Sequence, residues 1–270
     1  MENEIVSIVM TVYNGEHTIK STVQSLLDQT YANIELIIVN DGSTDNTHNI
    51  LKNIARKDNR IKIFNNPRYG RSKSLNYALS KCSGKYIANI DADDLAHPKR
   101  IEIQYRFMED HPNCGVLCSQ SLIIYNNDTV VWDDIDYSAN KYYQITRKYL
   151  KRSNPISHPS IMFNTKVISS NDLYYDESLT KIVDYDLWIR LCRSEYVIDM
   201  YKENLVAKRI HKNQSFENKN RINYLKAVKR VQKRNWSGEL TIKDQILVEL
   251  KFIYGLLPQR FRMWLRERAR

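Results

Sequence analysis

Glycine is scarce, with 7 in 270 residues, and that scarcity removes two ways of holding phosphate. The first loop, Tyr13-Asn14-Gly15-Glu16, has one glycine where a G-x-G-x-x-G fingerprint needs three. No G-x-x-x-x-G-K-[ST] loop occurs anywhere. Long apolar runs are missing too. None approaches the ~18–20 residues that cross a bilayer, and the first residues lack a signal-peptide profile, so a cytoplasmic location is expected. Cys82, Cys114, Cys118 and Cys192 have no zinc-type spacing, and reduced, buried thiols are expected. Acidic residues are sparse at the C-terminal end. Residues 201–270 hold 18 Lys+Arg against 6 Asp+Glu, whereas residues 1–200 hold 23 against 25. The excess of +10 is therefore a basic tail rather than a basic protein. These cations form no recognisable nucleic-acid motif, and no nucleic-acid partner is expected.

What is present is an alternation. Residues 5–12 form a near-continuous apolar run, as a parallel strand buried on both faces would. A turn at Tyr13-Asn14-Gly15 leads to a helix over 18–27, with Ile19, Val23, Leu26 and Leu27 on one side. A second strand over 34–39 ends in Asn40-Asp41-Gly42-Ser43, and Ser43 or Thr44 is placed to cap a helix over 45–56. A third strand covers 61–64, a helix 72–82, and Ser83-Gly84 closes it before a fourth strand over 86–90. This is the order of a doubly wound α/β sheet, and such sheets bind ligands beyond the carboxyl ends of their strands. Thr11, Tyr13, Asn14, Asp41, Asp91, Asp93 and Asp94 all fall at those ends, so one crevice can collect them.

The fourth strand runs directly into Asp91-Ala92-Asp93-Asp94. Three acids this close repel one another unless a cation lies among them. Asp91 and Asp93, two apart in an extended segment, face the same way. Oxygen ligands of this kind suit Mg²⁺ or Mn²⁺, with phosphate completing the shell. The plainer alternative is a polar loop capping the next helix, with Asp94 at its start and Pro98 in its first turn.

Taken together, these stretches resemble the inverting glycosyltransferases of family 2, which have the glycosyltransferase-A fold. The resemblance rests on residues 7–14, on Ile37-Ile38-Val39-Asn40-Asp41-Gly42-Ser43-Thr44-Asp45, on Asn76 with Ser83-Gly84-Lys85-Tyr86-Ile87, and on the D-x-D motif Asp91-Ala92-Asp93. It extends over roughly residues 5–212. It implies a Rossmann-like, mostly parallel sheet flanked by helices, and a catalytic domain over 1–215. Residues 1–97 would bind nucleotide and 98–215 the acceptor, with a basic amphipathic helical extension over 216–270. It further implies a nucleotide-sugar donor, with UDP expected, held by Thr11, Tyr13, Asn14, Asp41, Asn76, Asp91, Ala92 and Asp93. Asp41 would accept from the base, and Asp91 would serve ribose or metal. Asp93, with Asp91 and His211, would hold Mn²⁺ or Mg²⁺.

Val183-Asp184-Tyr185-Asp186-Leu187-Trp188 is similar to the family's E-D-x-D-L-W segment, which makes Asp184 the expected catalytic base and Asp186 the alternative. Val183 stands where the family has Glu, which leaves open a catalytically impaired nucleotide-sugar-binding protein. His158, in Asn154-Pro155-Ile156-Ser157-His158-Pro159, is either a site residue or a hydrogen-bonded histidine beside a turn. Arg209-Ile210-His211-Lys212 resembles the stretch that closes the catalytic domain, with Arg209 or Lys212 as phosphate cations. Gln232-Lys233-Arg234-Asn235-Trp236 departs from the Q-x-x-R-W of processive members, so transfer of single sugars to a glycan or lipid-linked acceptor is expected. Ile242, Ile246, Leu250, Ile253 and Leu257 recur at helical spacing, followed by an arginine- and aromatic-rich helix from Pro258. Residues 241–270 can thus lie on an anionic membrane, at the inner face of the cell membrane, or pair with a second copy of the chain.

Overall fold

The computed structural model describes residues 4–125, 129–210 and 221–257, together with 261 and 268. The expected alternation is present: β1 (Val6–Val12), α1 (Ile19–Leu27), β2 (Ile34–Asp41), α2 (Thr47–Ala55), β3 (Ile61–Asn66), α3 (Arg71–Leu79) and β4 (Tyr86–Asn89). There follow β5 (Leu95–Ala96), α4 (Arg100–Asp110), β6 (Cys114–Tyr125), β7 (Tyr142–Gln144), α5 (Arg147–Arg152), β8 (Met162–Asn164), α6 (Val183–Arg193), β9 (Val197–Ile210), α7 (Arg221–Asn235) and α8 (Ile242–Leu256). One sheet runs β3-β2-β1-β4-β8-β6-β9-β5, with β7 on β9. β3, β2, β1 and β4 are parallel. β8 is antiparallel to both β4 and β6 and so joins the parallel half to the long parallel pair β6–β9. The mixed α/β sheet flanked by helices is the expected class.

The apolar runs are explained by cover on both faces. Ile8, Met10, Leu36 and Ile38 pack with Val23 of α1, Leu51 of α2 and Phe107 of α4. Val9, Ile37 and Val39, one residue out of phase, pack with Leu75 of α3 and Trp188 of α6. Val231 of α7 and Trp236 just beyond it are buried in this second core. The helix after residue 216 is thereby seated on α6 rather than detached from it.

The two ends of the sheet differ in chemistry. At the amino end, Glu35 accepts from Ser7 Oγ (2.6 Å), Lys62 Nζ (2.6 Å), Ser83 N (2.7 Å) and Ser83 Oγ (2.9 Å). Gly84 is required by proximity, since a Cβ there would lie 2.5 Å from the Ile5 carbonyl oxygen. Burial pushes the Glu35 carboxyl up, but the lysine and the three other donors outweigh it and bring it down to about 2. A pKa below the unfolded value means stability that is complete above about pH 4.5 and is lost as the pH falls toward 2. Glu35→Gln is expected to cost up to about 3 kcal/mol at pH 7 and to flatten the acid limb over that window. Urea unfolding at pH 7 and pH 3 measures both.

Candidate active site

At the carboxyl end, the loops after β1 and β2 are stitched together. Asn14, at φ 52°, accepts from Thr44 N (2.8 Å) at its side chain and donates its N–H to Ser43 Oγ (3.0 Å). Glu16 N donates to Asp45 Oδ2 and Asn46 N to Glu16 Oε2, both at 3.0 Å. Ser43 and Thr44 are thus spent on the neighbouring loop rather than on capping α2, where Asp45 accepts from Thr47 N instead. Gly15 has no room for a side chain, because a Cβ would lie 2.6 Å from Val12 Cγ2.

Asp41 ends β2 and is 3% exposed. It accepts from Tyr69 N (2.7 Å), Gly70 N (3.0 Å), Ser74 Oγ (2.9 Å) and Arg68 Nη1 (3.0 Å). The carboxylate therefore organises the turn into α3. Arg68 is in the left-handed region (φ 53°), its guanidinium 3.3 Å from the centre of the Tyr13 ring.

The acids after β4 are not extended. Asp94 N donates to the Asp91 carbonyl (3.1 Å), a turn pinned by Thr18 and Thr22 hydroxyls on the Ala92 carbonyl (3.0 Å each). Arg209 Nε on the Asp93 carbonyl (3.0 Å) holds its other side. β5 then intervenes, and α4 starts only at Arg100, so Asp94 caps no helix. Burial and the charges of Asp91 and Asp93 hold the Asp94 carboxyl well above the usual range. Its Oδ1 accepts from Arg209 N (2.9 Å), and its Oδ2 is buried without a partner among the described residues. Asp94 is thus a buried support beneath the turn rather than a group facing the cleft. Asp91 is the opposite case. Burial opposes its charge most strongly, but the Arg71 guanidinium at 2.6 Å, His158 and Lys208 together outweigh it and hold it well below the carboxylate range.

Behind Asp91 stands His158. Its Nδ1 lies 3.1 Å from Arg71 Nη2, 3.0 Å from Asn89 Nδ2 and 3.5 Å from Asp91 Oδ1, and its Nε2 meets the Tyr175 hydroxyl at 2.9 Å. Asn76 lies one step further out. It bonds Tyr175 N (2.7 Å) and Tyr175 O (2.8 Å), away from the crevice where the family resemblance put it. Asn76 fixes Tyr175, Tyr175 meets His158, and His158 backs Arg71.

A cleft of about 830 Å³ is lined by Thr11, Tyr13, Asn14, Gly15, Asp41, Arg68, Arg71, Asp91, Ala92 and Asp93. Every expected donor-side residue except Asn76 is there. Arg68 and Arg71 were not anticipated, since their roles depend on contacts 27 and 20 residues away. Among the described residues, no three His, Cys, Asp or Glu side chains converge to hold a metal. Asp91 and Asp93 do supply two carboxylates at one cleft, and, after burial, their charges help raise the Asp94 carboxyl. That set fits a hard cation that takes its remaining oxygens from phosphate and water. His211 and Lys212 lie outside the described residues.

Asp184 is in the first turn of α6 and lines an adjacent cavity of about 260 Å³ rather than the cleft itself. It accepts from Asn154 Nδ2 (2.9 Å). Its charge reaches Arg71, which is raised by Asp91 first and also by Asp184, so Arg71 stands between the two sites. Ile182 precedes the helix at φ 61°, a strained conformation for a β-branched residue that sets the exit angle of the segment. Val183, in place of the expected Glu, is buried in the core. Asp186 is fully buried and accepts from Arg190 Nε (2.9 Å), Asn235 Nδ2 (2.8 Å) and Arg234. It is a structural ion pair with no access to a substrate.

Residues 7–170 match the family model described as glycosyl transferase family 2. An uncharacterised glycosyltransferase of Methanocaldococcus jannaschii is 32% identical over 97% of this chain and 89% of its own length. Staphylococcus aureus TarS residues 1–349, in complex with UDP-GlcNAc, superposes with TM-score 0.67 at 18% identity, covering 93% of this chain and 72% of that one. The mannosyltransferase PcManGT of Pyrobaculum calidifontis, in complex with GDP-Man and Mn²⁺, does so with TM-score 0.65 at 13% identity, covering 98% and 84%. At these identities the two structural likenesses are of fold.

Proposed function

The chain belongs to glycosyl transferase family 2, and from that premise we propose that it moves a single sugar, with inversion, from a UDP-sugar to a hydroxyl of a growing cell-surface glycan or lipid-linked acceptor. The observation that carries this reading is the convergence of Tyr13, Asp41, Arg71, Asp91 and Asp93, from four separate chain segments, on one cleft.

The cleft's polarity runs in one direction. With Arg68 moved off both groups, Tyr13 would offer an aromatic face to a base and Asp41 an acceptor for its N–H. Arg71 places a cation where a diphosphate would lie. Asp91 and Asp93 would hold a divalent ion, whose contribution when bound is to neutralise charge on the departing diphosphate. Asp184 takes the proton of the acceptor hydroxyl as its oxygen bonds to the anomeric carbon and the sugar–phosphate bond breaks. One displacement with the base opposite the leaving group inverts the anomeric centre. Asn154 and the α6 N-terminus hold Asp184 oriented for this step.

A thermal-shift panel of UDP- and GDP-sugars, with and without Mn²⁺, tests the donor. At ~100 times Kd a ligand adds about 2.7 kcal/mol, an upward shift of roughly 5–10 °C. UDP-sugars with Mn²⁺ are expected to give the largest shift, and no shift with any nucleotide sugar would contradict the reading.

None of the described helices is long and apolar enough to cross a membrane. On α8, however, Ile242, Ile246, Leu250 and Ile253 are each more than half exposed. This stripe, in the basic C-terminal part of the chain, supports peripheral docking on an anionic membrane. The arginine-rich helix expected from Pro258 lies largely outside the described residues. Ile246→Glu with Leu250→Glu should abolish co-sedimentation with phosphatidylglycerol vesicles. Loss of a dimer without loss of vesicle binding would assign the stripe to a second copy of the chain.

A further inference from the structure

The seat proposed for the donor's base is already taken by a side chain of this protein. The Arg68 guanidinium lies 3.3 Å from the centre of the Tyr13 ring, and its Nη1 donates to Asp41 Oδ2 at 3.0 Å. A guanidinium is flat, stacks on aromatic faces and carries N–H donors along its edge. A nucleobase would use Tyr13 and Asp41 through the same properties. The two compete for one acceptor position. An ionised carboxylate has about four lone-pair positions. Asp41 Oδ1 accepts from Tyr69 N (2.7 Å) and Ser74 Oγ (2.9 Å), and Oδ2 accepts from Gly70 N (3.0 Å). Those three bonds hold the turn into α3, and Arg68 fills the fourth position. A base N–H can therefore reach this carboxylate only where Arg68 now donates.

The backbone beneath Arg68 is fixed, but its side chain is not. Arg68 N donates to the Asn66 carbonyl (3.0 Å), and the next N–H is bonded to Asp41. On the other side the chain passes so close to Gly42 that a Cβ there would lie 2.8 Å from Arg68 N. The Arg68 side chain itself is 54% exposed, so rotation about its own bonds carries it into solvent while the loop stays in place. We propose that Arg68 is an internal stand-in for the nucleobase, seated on Tyr13 and Asp41 when no donor is bound and displaced when the base enters, so that it sets the affinity for the donor. This rests on the glycosyltransferase reading of the cleft and deepens its donor side. Apparent affinity falls with the fraction of molecules whose seat is open, so a seat open in about one molecule in ten weakens donor binding about tenfold.

Titration of the full chain with uridine, followed by NMR, tests the displacement. Uridine carries no charge, so its binding reports the seat without the attraction between Arg68 and a diphosphate. Arg68→Ala is expected to bind uridine at least about threefold more tightly than wild type, the gain from a seat that is always open. Arg68→Gly, which also relieves the left-handed φ of 53°, should act in the same direction and stands in should the alanine variant fold poorly. In wild type, the Arg68 guanidinium resonance, displaced by the Tyr13 ring, should move to the position of a solvent-exposed arginine as uridine saturates. An unmoved resonance at saturation overturns the proposal. So does uridine affinity that is equal in wild type and variants, or weaker in the variants, which would make Arg68 a ligand of the base. UDP bound by all three chains alongside either of those results leaves the donor reading standing without the displacement. No binding of uridine or UDP to any of the chains removes both.

Discussion

Asp184→Asn is expected to lower the rate of sugar transfer by ~10²–10⁴-fold, the range for loss of a positioned general base, while nucleotide affinity stays within about twofold. Asn keeps the shape and still meets Asn154, so folding is spared and only the proton acceptor is lost. Two carboxylates in α6 compete for the role, and the surroundings decide between them. Asp184 is half-buried beside an open cavity, whereas Asp186 is sealed beneath Arg190, Arg234 and Asn235. Nucleoside diphosphate release in the presence of acceptor measures the effect. Unchanged turnover in Asp184→Asn would remove it from the mechanism.

Asp93→Asn is expected to abolish metal-dependent donor binding and to reduce turnover by about 10³-fold or more, since charge neutralisation by a cation is worth several kcal/mol. The three neighbouring acids are not equivalent. Asp94 is buried and does not line the cleft, and Asp91 already faces Arg71. Asp93 lines the cleft and is the carboxylate ranked first for the cation. Asp91→Asn should lose less of the metal dependence and more of the order around Arg71 and His158. Mn²⁺ titration of nucleotide affinity in the two variants ranks them. A Mn²⁺ dependence in Asp93→Asn equal to that of wild type would contradict the ranking.

The parallel half of the fold could be read along the chain because its signals are local. The strands at 6–12 and 34–41 are apolar on both faces since helices cover both faces, and the helix period between them is plain. The second half could not be read so directly. β5 has two residues and β7 three, too short for any periodicity, and β9 owes its 14 residues to pairing with β6 across three register shifts. The site divides in the same manner. Strand-end acids announce themselves, but Arg71 acquires its meaning from His158, 87 positions away. The family resemblance puts Asn76 at the donor, whereas its side chain holds the Tyr175 backbone. His158 is a buried, hydrogen-bonded histidine that nonetheless supports the site, so the two alternatives for it were not exclusive.

The most direct measurement is anomalous diffraction from crystals grown with a UDP-sugar and Mn²⁺. The expected result is a manganese peak against Asp93, the diphosphate between that ion and Arg71, and the uracil over Tyr13 within reach of Asp41. Nucleotide density on any other face of the sheet, or a manganese peak away from Asp91 and Asp93, would contradict the convergence of strand-end groups on one donor.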